Sequence, residues 1–141
     1  MWKAGDAVEV GRMIMEPLSP EDRVRKAAAL LHVCSARYRP VGAVQTVLQL
    51  AATPVKWKEG HQAFDALRQL TLDEERRPTD RRLLCLLLVA EITAETIYNA
   101  TDPADPFDED SPWWLSPNAR SMAKAVGDPD FESEVWEKLT S

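Results

Sequence analysis

Every residue from Leu83 to Ala90 is apolar, and the pattern continues through Ile92 and Ile97. Between Asp80 and Asn99 it leaves almost no polar side to a helix. A helix that is apolar all round must be enclosed by other elements. The run ends at Glu91, too short for a bilayer span. The sequence therefore predicts a central buried helix over about 80–99, with the rest of the chain arranged to cover it.

The flanking segments carry the periodicity needed for that cover. Ser19-Pro20-Glu21-Asp22 is a helix start: a hydroxyl to cap a free N–H, proline at the first helical position, and two acids at the positive helix end. Val24, Ala27, Ala28, Leu31, Cys34 and Tyr38 follow at helical spacing, until Pro40. Further helices are expected over about 41–52, using Val44, Val47, Leu48 and Ala51, and about 57–70, using Phe64, Leu67 and Leu70. Leu72 to Pro78 is charged and expected as a loop, with Thr79 and Asp80 opening the central helix. Ser116-Pro117 and Asp128-Pro129 each read as a cap followed by proline, and Gly127 suits the left-handed residue that ends the first of these two helices. Residues 1–18 are weakly patterned. Val8 and Val10 alternate like a strand, while Val10, Met13 and Ile14 fit one helical turn, so a tail or short helix is expected there. The prediction is an all-α chain: a compact bundle of about six helices, no significant sheet, with 19–141 as one helical domain carrying an acidic, proline-rich loop at 102–112.

The 141 residues, 45% hydrophobic and 28% charged, suffice for a core without disulfides or metal. The net charge of −6 argues against DNA or an anionic membrane as partner. The charge is uneven: residues 1–70 carry 10 Lys/Arg against 7 Asp/Glu, and residues 71–141 carry 7 against 16. Such a chain can dock its basic half on its acidic half, or steer a charged partner. Cys34 and Cys85 both lie in apolar helical patterns and are expected as buried thiols. The first residues lack an apolar export segment, so a cytoplasmic protein is expected.

Most catalytic signatures are missing from the sequence. It has no Gly-rich phosphate loop, no nucleophile elbow and no paired-Cys zinc spacing. Neither His32 nor His61 follows a Glu by three residues, as di-iron bundles require. No cofactor or metal is expected. Arg25 and His32, however, stand seven residues apart, on nearly the same face of one helix. This Arg-x6-His arrangement in a helical domain resembles the loose motif of the HEPN ribonuclease superfamily, with Lys26 in place of the usual polar residue after the Arg. The resemblance covers those two residues. It implies metal-independent RNA cleavage, Arg25 stabilising phosphate charge and His32 acting in acid/base chemistry.

Three other groups invite a role. Glu91 and Glu95 fall on the stripe Leu84, Leu88, Glu91, Glu95, Tyr98 of the central helix, where buried carboxylates would need cationic partners; Arg37 and Arg39 are candidates. Arg76, Arg77, Arg81 and Arg82 form the one dense basic cluster, and the last two occupy a first helical turn, where the dipole disfavours cations. Asp73, Glu74 and Glu75, or an anionic partner, should compensate. Lastly, Ser111-Pro112-Trp113-Trp114-Leu115 follows the acids Asp102, Asp105, Asp108, Glu109 and Asp110, whose spacing fails the EF-hand pattern. Adjacent tryptophans cannot both point the same way, so one can pin the loop while the other lies at the surface. Aromatic residues beside an acidic rim fit a protein-binding hot spot for a basic surface. By elimination, the expected role is a non-enzymatic protein-interaction domain: an adaptor, inhibitor, antitoxin-like or accessory subunit. A HEPN-like ribonuclease is the alternative, and a structural subunit of a homo-oligomer the third class.

Overall fold

A computed structural model describes residues 7–76, 80–101 and 111–141. Among them are seven α-helices and no strand: α1 (Ala7–Met15), α2 (Pro20–Ser35), α3 (Gly42–Ala51), α4 (Gly60–Arg76), α5 (Arg81–Thr101), α6 (Leu115–Val126) and α7 (Pro129–Thr140). Two 3-10 turns, Pro54–Glu59 and Ser111–Trp114, precede α4 and α6.

Helix α5 is the centre. Cys85, Leu86, Leu87 and Val89 to Ala94 are buried, as are Thr96 and Ile97, so the buried surface runs right round the helix. It packs on α4, α2 and α6, and also on α3 and both 3-10 turns. By length and composition α5 could cross a membrane, but 67% of its most apolar window is buried inside the protein. Helix α7 closes over α2 and α6, and α1 lies against α6 and the Ser111–Trp114 turn. The core also holds Leu30, Leu31, Val44, Val47, Leu67, Met122, Phe131 and Leu139.

Local chemistry sets most helix ends. The Ser19 hydroxyl accepts from the Asp22 N–H at 3.2 Å, and the Asp128 carboxylate from the Asp130 N–H at 3.0 Å. Gly127 ends α6 at φ 75°, a left-handed conformation that glycine takes without a Cβ clash. The charge asymmetry is partly spent internally. Arg37 Nη2 lies 2.6 Å from Asp128 Oδ2, and Lys26 Nζ donates to the Leu139 carbonyl at 2.9 Å, a cation at the negative end of α7.

Four expectations are corrected. Helix α2 ends at Ser35 rather than near Tyr38, because Arg39 precedes a proline and is pushed out of helical geometry; Tyr38 leaves the helical stripe. Helix α4 starts later, after the Pro54–Glu59 turn, and runs through Arg76, so Leu72–Arg76 is helix rather than loop. Its charged residues Asp73, Glu74, Glu75 and Arg76 include good helix formers and continue a helix already held by Leu67 and Thr71. Ser116 does not cap α6. It sits inside the first turn, buried, because the chain enters α6 directly from the preceding 3-10 turn. Residues 7–15 are helical, but Met13 does not share the packed face; Gly11 and Met15 are the buried positions.

Gly60 shows how tightly α4 and α5 are joined. A Cβ there would come within 2.9 Å of both the Ala94 carbonyl oxygen and the Tyr98 amide nitrogen of α5. Gly60→Ala is therefore expected to lower stability by about 1–3 kcal/mol, through forced separation of the two backbones. Gly42→Ala, where a Cβ would meet nothing within 4 Å, is the control and should cost nothing. Denaturant unfolding of the two variants checks this.

Candidate functional site

The tryptophan pair is divided between interior and surface. The Trp113 backbone faces α1 so closely that a Cβ on Gly11 would lie 2.2 Å from the Trp113 carbonyl oxygen and 3.2 Å from the Ser116 Cβ. Two small residues, Gly11 and Ser116, thus let α1 approach the start of α6. The Ser116 hydroxyl is buried without a hydrogen-bond partner. Trp113 is half-buried, and the Arg23 guanidinium stands 5.4 Å from its ring centroid. Arg23 also donates from Nε to the Met15 carbonyl at 2.8 Å and from Nη2 to the Glu16 carbonyl at 2.9 Å. One α2 side chain thereby caps α1 and holds Trp113. Trp114, by contrast, is 50% exposed, and Met13 on the adjoining α1 is 65% exposed. The expected acidic rim at Asp108, Glu109 and Asp110 lies outside the described residues.

The Glu91 carboxylate of α5 faces α4. Glu91 is buried, its side chain only 6% exposed, and its nearest cation is Arg68 of α4 at 3.7 Å, beyond hydrogen-bond distance. Its Oε1 has no hydrogen-bond partner. Burial pushes the Glu91 carboxyl up from its ordinary value, and Glu75 adds to that; the Thr71 hydroxyl and Arg68 oppose it. The Thr71 hydroxyl has one proton, which it already directs to the Leu67 carbonyl at 3.0 Å, so its help is partial. Arg37 and Arg39 are not the partners of Glu91: Arg37 is committed to Asp128, and Arg39 lies over the Tyr38 ring. Glu95 is half-buried, one turn further along the same helix. Among the described residues no group of three or more His, Cys, Asp and Glu side chains could hold a metal ion.

Arg25 and His32 are both exposed on α2. The Arg25 side chain is 75% exposed and pairs with Asp22, one turn back. Cys34 and Cys85 are buried free thiols, and burial pushes Cys34 up to about 12, far from a nucleophilic thiolate at neutral pH.

One cluster was not legible in the sequence as a site. Tyr38, expelled from α2, is flanked by the guanidinium groups of Arg39 at 5.5 Å and Arg82 at 5.6 Å from its ring centroid. Its hydroxyl donates to Asp80 Oδ2 at 3.1 Å. Asp80 is the carboxylate that offsets the unfavourable position of Arg82. It accepts from the Arg82 N–H at 2.9 Å and from Arg82 Nε at 3.3 Å, and Arg82 holds it below the usual carboxylate range. Glu74 in turn accepts from the Asp80 N–H at 3.0 Å. The two arginines in a first helical turn were the only signal in the sequence that something anionic gathers here.

No known protein-family model, curated protein or solved structure matches this chain.

Two predictions concern these residues. Because the folded Glu91 carboxyl titrates above its ordinary value of 4.5, the folded state holds that proton more tightly than the unfolded chain. Stability from this group is present at low pH and is lost as pH rises through the raised value. Glu91→Gln should flatten that fall between pH 4.5 and neutrality. It should cost less than about 1 kcal/mol, not the roughly 3–5 of a broken buried pair, because Arg68 is 43% exposed and returns to water. Melting curves of both proteins against pH measure the difference. For the tryptophans, Trp113→Ala should lose about 2–4 kcal/mol with its packing against Arg23 and the body. Trp114→Ala should melt within about 0.5 kcal/mol of wild type.

Proposed function

We propose that this protein acts by binding another protein, as an adaptor, inhibitor, antitoxin-like or accessory subunit, through the surface that presents Trp114. The observation that carries the reading is the split of the tryptophan pair. Trp113 is held by Arg23 and by the close approach of α1, while its neighbour leaves half of its surface to water. Trp114 occupies the turn that enters α6, and the Asn118 side chain donates to its carbonyl at 2.9 Å, fixing the local backbone. A large aromatic side chain on a rigid backbone loses little entropy on binding, the property that makes tryptophan a frequent hot-spot residue.

The chain placed directly before this turn holds five acids within nine residues, from Asp102 to Asp110. A partner with a basic surface fits that charge and would be steered to the site. A cytoplasmic location belongs to the same proposal, and so does the absence of DNA or membrane as partner, given the net charge of −6.

The test is a pull-down from the native host, with mass spectrometry comparing wild type and Trp114→Ala. A specific partner should be lost, and its affinity, once measured with purified proteins, should fall by roughly thirtyfold, the equivalent of about 2 kcal/mol. Neutralising Asp108, Glu109 and Asp110 together should mainly slow association and flatten its salt dependence. Sedimentation of the wild type separates the remaining case: a Trp114-dependent dimer would make the partner a second copy of this chain. If no protein, this one included, depends on Trp114, the proposal fails.

A further inference from the structure

The cluster around Tyr38 opens a second site. One cavity of about 530 Å3 is lined by Arg37, Tyr38, Arg39, Asp80 and Arg82, with Ala36. A second, also of about 530 Å3, is floored by Val41, Leu70, Leu83 and Leu87, and Asp73 and Glu74 also line it. Arg39 belongs to both. The molecule thus places a polar, three-guanidinium cavity beside an apolar one, with a single arginine at the junction.

The charges are unequally matched. In the first cavity three guanidinium groups face one carboxylate, Asp80. Arg37 spends Nη2 on Asp128, and Arg82 reaches Asp80 from Nε and Nη2 at 3.3 and 3.4 Å, long contacts that leave its other N–H groups available. Arg39 makes no ion pair among the described residues: its guanidinium stands over the Tyr38 ring, and Asp73 and Glu74 line the second cavity with it without pairing to it. An uncommitted guanidinium is a donor fork suited to a phosphate or carboxylate. A positive cavity of this kind stands out on a chain with net charge −6. Next to it, Leu70 is exposed while Leu87 is buried, so the apolar floor is open to a ligand from outside. Asp73 and Glu74 repel an anion from that floor, which fixes the direction in which an amphiphile can lie.

The geometry points to a binding site for a small amphiphilic anion, its phosphate- or carboxylate-type head held by Arg39 with Arg37 and Arg82, and its apolar body laid over Val41, Leu70, Leu83 and Leu87. Trp114 lines neither cavity, so this site stands or falls separately from the proposed protein partner.

Three probes read it out by NMR titration of the full chain: hexyl phosphate, inorganic phosphate and hexylammonium. Hexyl phosphate should shift the Arg39, Arg82 and Tyr38 resonances together with the Leu70 and Leu83 methyls. It should bind at least about tenfold more tightly than inorganic phosphate, from partial burial of its methylenes. Arg39→Ala should weaken hexyl phosphate by about tenfold or more, the loss of a charge-assisted hydrogen bond. Leu70→Ser should weaken hexyl phosphate and leave inorganic phosphate unchanged. Arg39 and Leu70 are exposed, and matching circular dichroism melts establish that each variant is folded. Arg39→Glu should turn the preference toward hexylammonium. The proposal is overturned if hexylammonium binds the wild type here as well as hexyl phosphate does, if the phosphate and its hexyl ester bind equally, or if Arg39→Ala changes nothing.

Discussion

Between Cys85 and Ile97 helix α5 is buried except along the half-buried stripe of Leu88 and Glu95, and nearly every other element is placed by the need to cover it. A short helix flanked by sheet could be covered on two sides, but a helix apolar all round needs neighbours in several directions. Helices α2, α4 and α6 supply three of them, and α3 and the two 3-10 turns fill the gaps between. The approach is close enough on the α4 side that only a glycine fits at position 60. The same enclosure explains the polar residues inside α5. Thr93 and Thr96 donate back to the carbonyls of Val89 and Ile92, at 2.8 and 2.7 Å, and so bring their own hydrogen-bond partners into the core. Glu91 has no such local solution. Its carboxyl has only partial help from the Thr71 hydroxyl and from Arg68 at 3.7 Å, and burial prevails over both.

Two arginines serve here as joints between elements. Arg23 joins the end of α1 to α2 and stacks on Trp113; Arg37 joins the end of α2 to the start of α7 and stacks on Phe131 at 4.7 Å. Each uses both the donor fork and the flat face of the guanidinium, which a lysine would not reproduce. Where the Tyr38 ring attracts both Arg39 and Arg82, donor N–H groups are left without a carboxylate partner, and that surplus distinguishes the cavity from a structural ion pair. The site carrying Trp114 and the site carrying Arg39 therefore have different origins. One is apolar surface left over after Trp113 is anchored, and the other is positive charge left over after Asp80 and Asp128 are satisfied.

Much of this architecture could be read from residue order, because it depends on local rules. The apolar run from Leu83 to Ala90 predicts a central buried helix, Ser19 and Asp128 announce their helices through cap chemistry, and Gly127 marks a left-handed stop. These signals act within a turn or two of chain, where geometry follows directly from composition. The split of Trp113 and Trp114 was legible in part: adjacent positions on any regular element diverge, but residue order does not say which ring goes inward. In the fold Trp113 is the half-buried one, with Arg23 over its ring, and the small Gly11 and Ser116, about a hundred residues apart in sequence, let α1 close on the turn.

Tertiary structure alone decided the partners of the charged groups that pair between elements, Arg37 with Asp128 and Arg68 with Glu91. Arg37, Arg39 and Arg68 are equivalent in a sequence as possible mates for Glu91, since pairing between different elements, unlike the i,i+3 and i,i+4 pairs within a helix, has no periodicity. Packing of α4 on α5 gave Glu91 to Arg68, the α2–α7 contact took Arg37, and Pro40 turned Tyr38 and Arg39 out of α2 toward Asp80 and Arg82. The sequence by itself determined that the chain would be helical and built around α5, because hydrophobic periodicity is a property of neighbours along the chain. Which charges are neutralised and which remain to attract a ligand is a property of neighbours in space, and the fold alone could decide it.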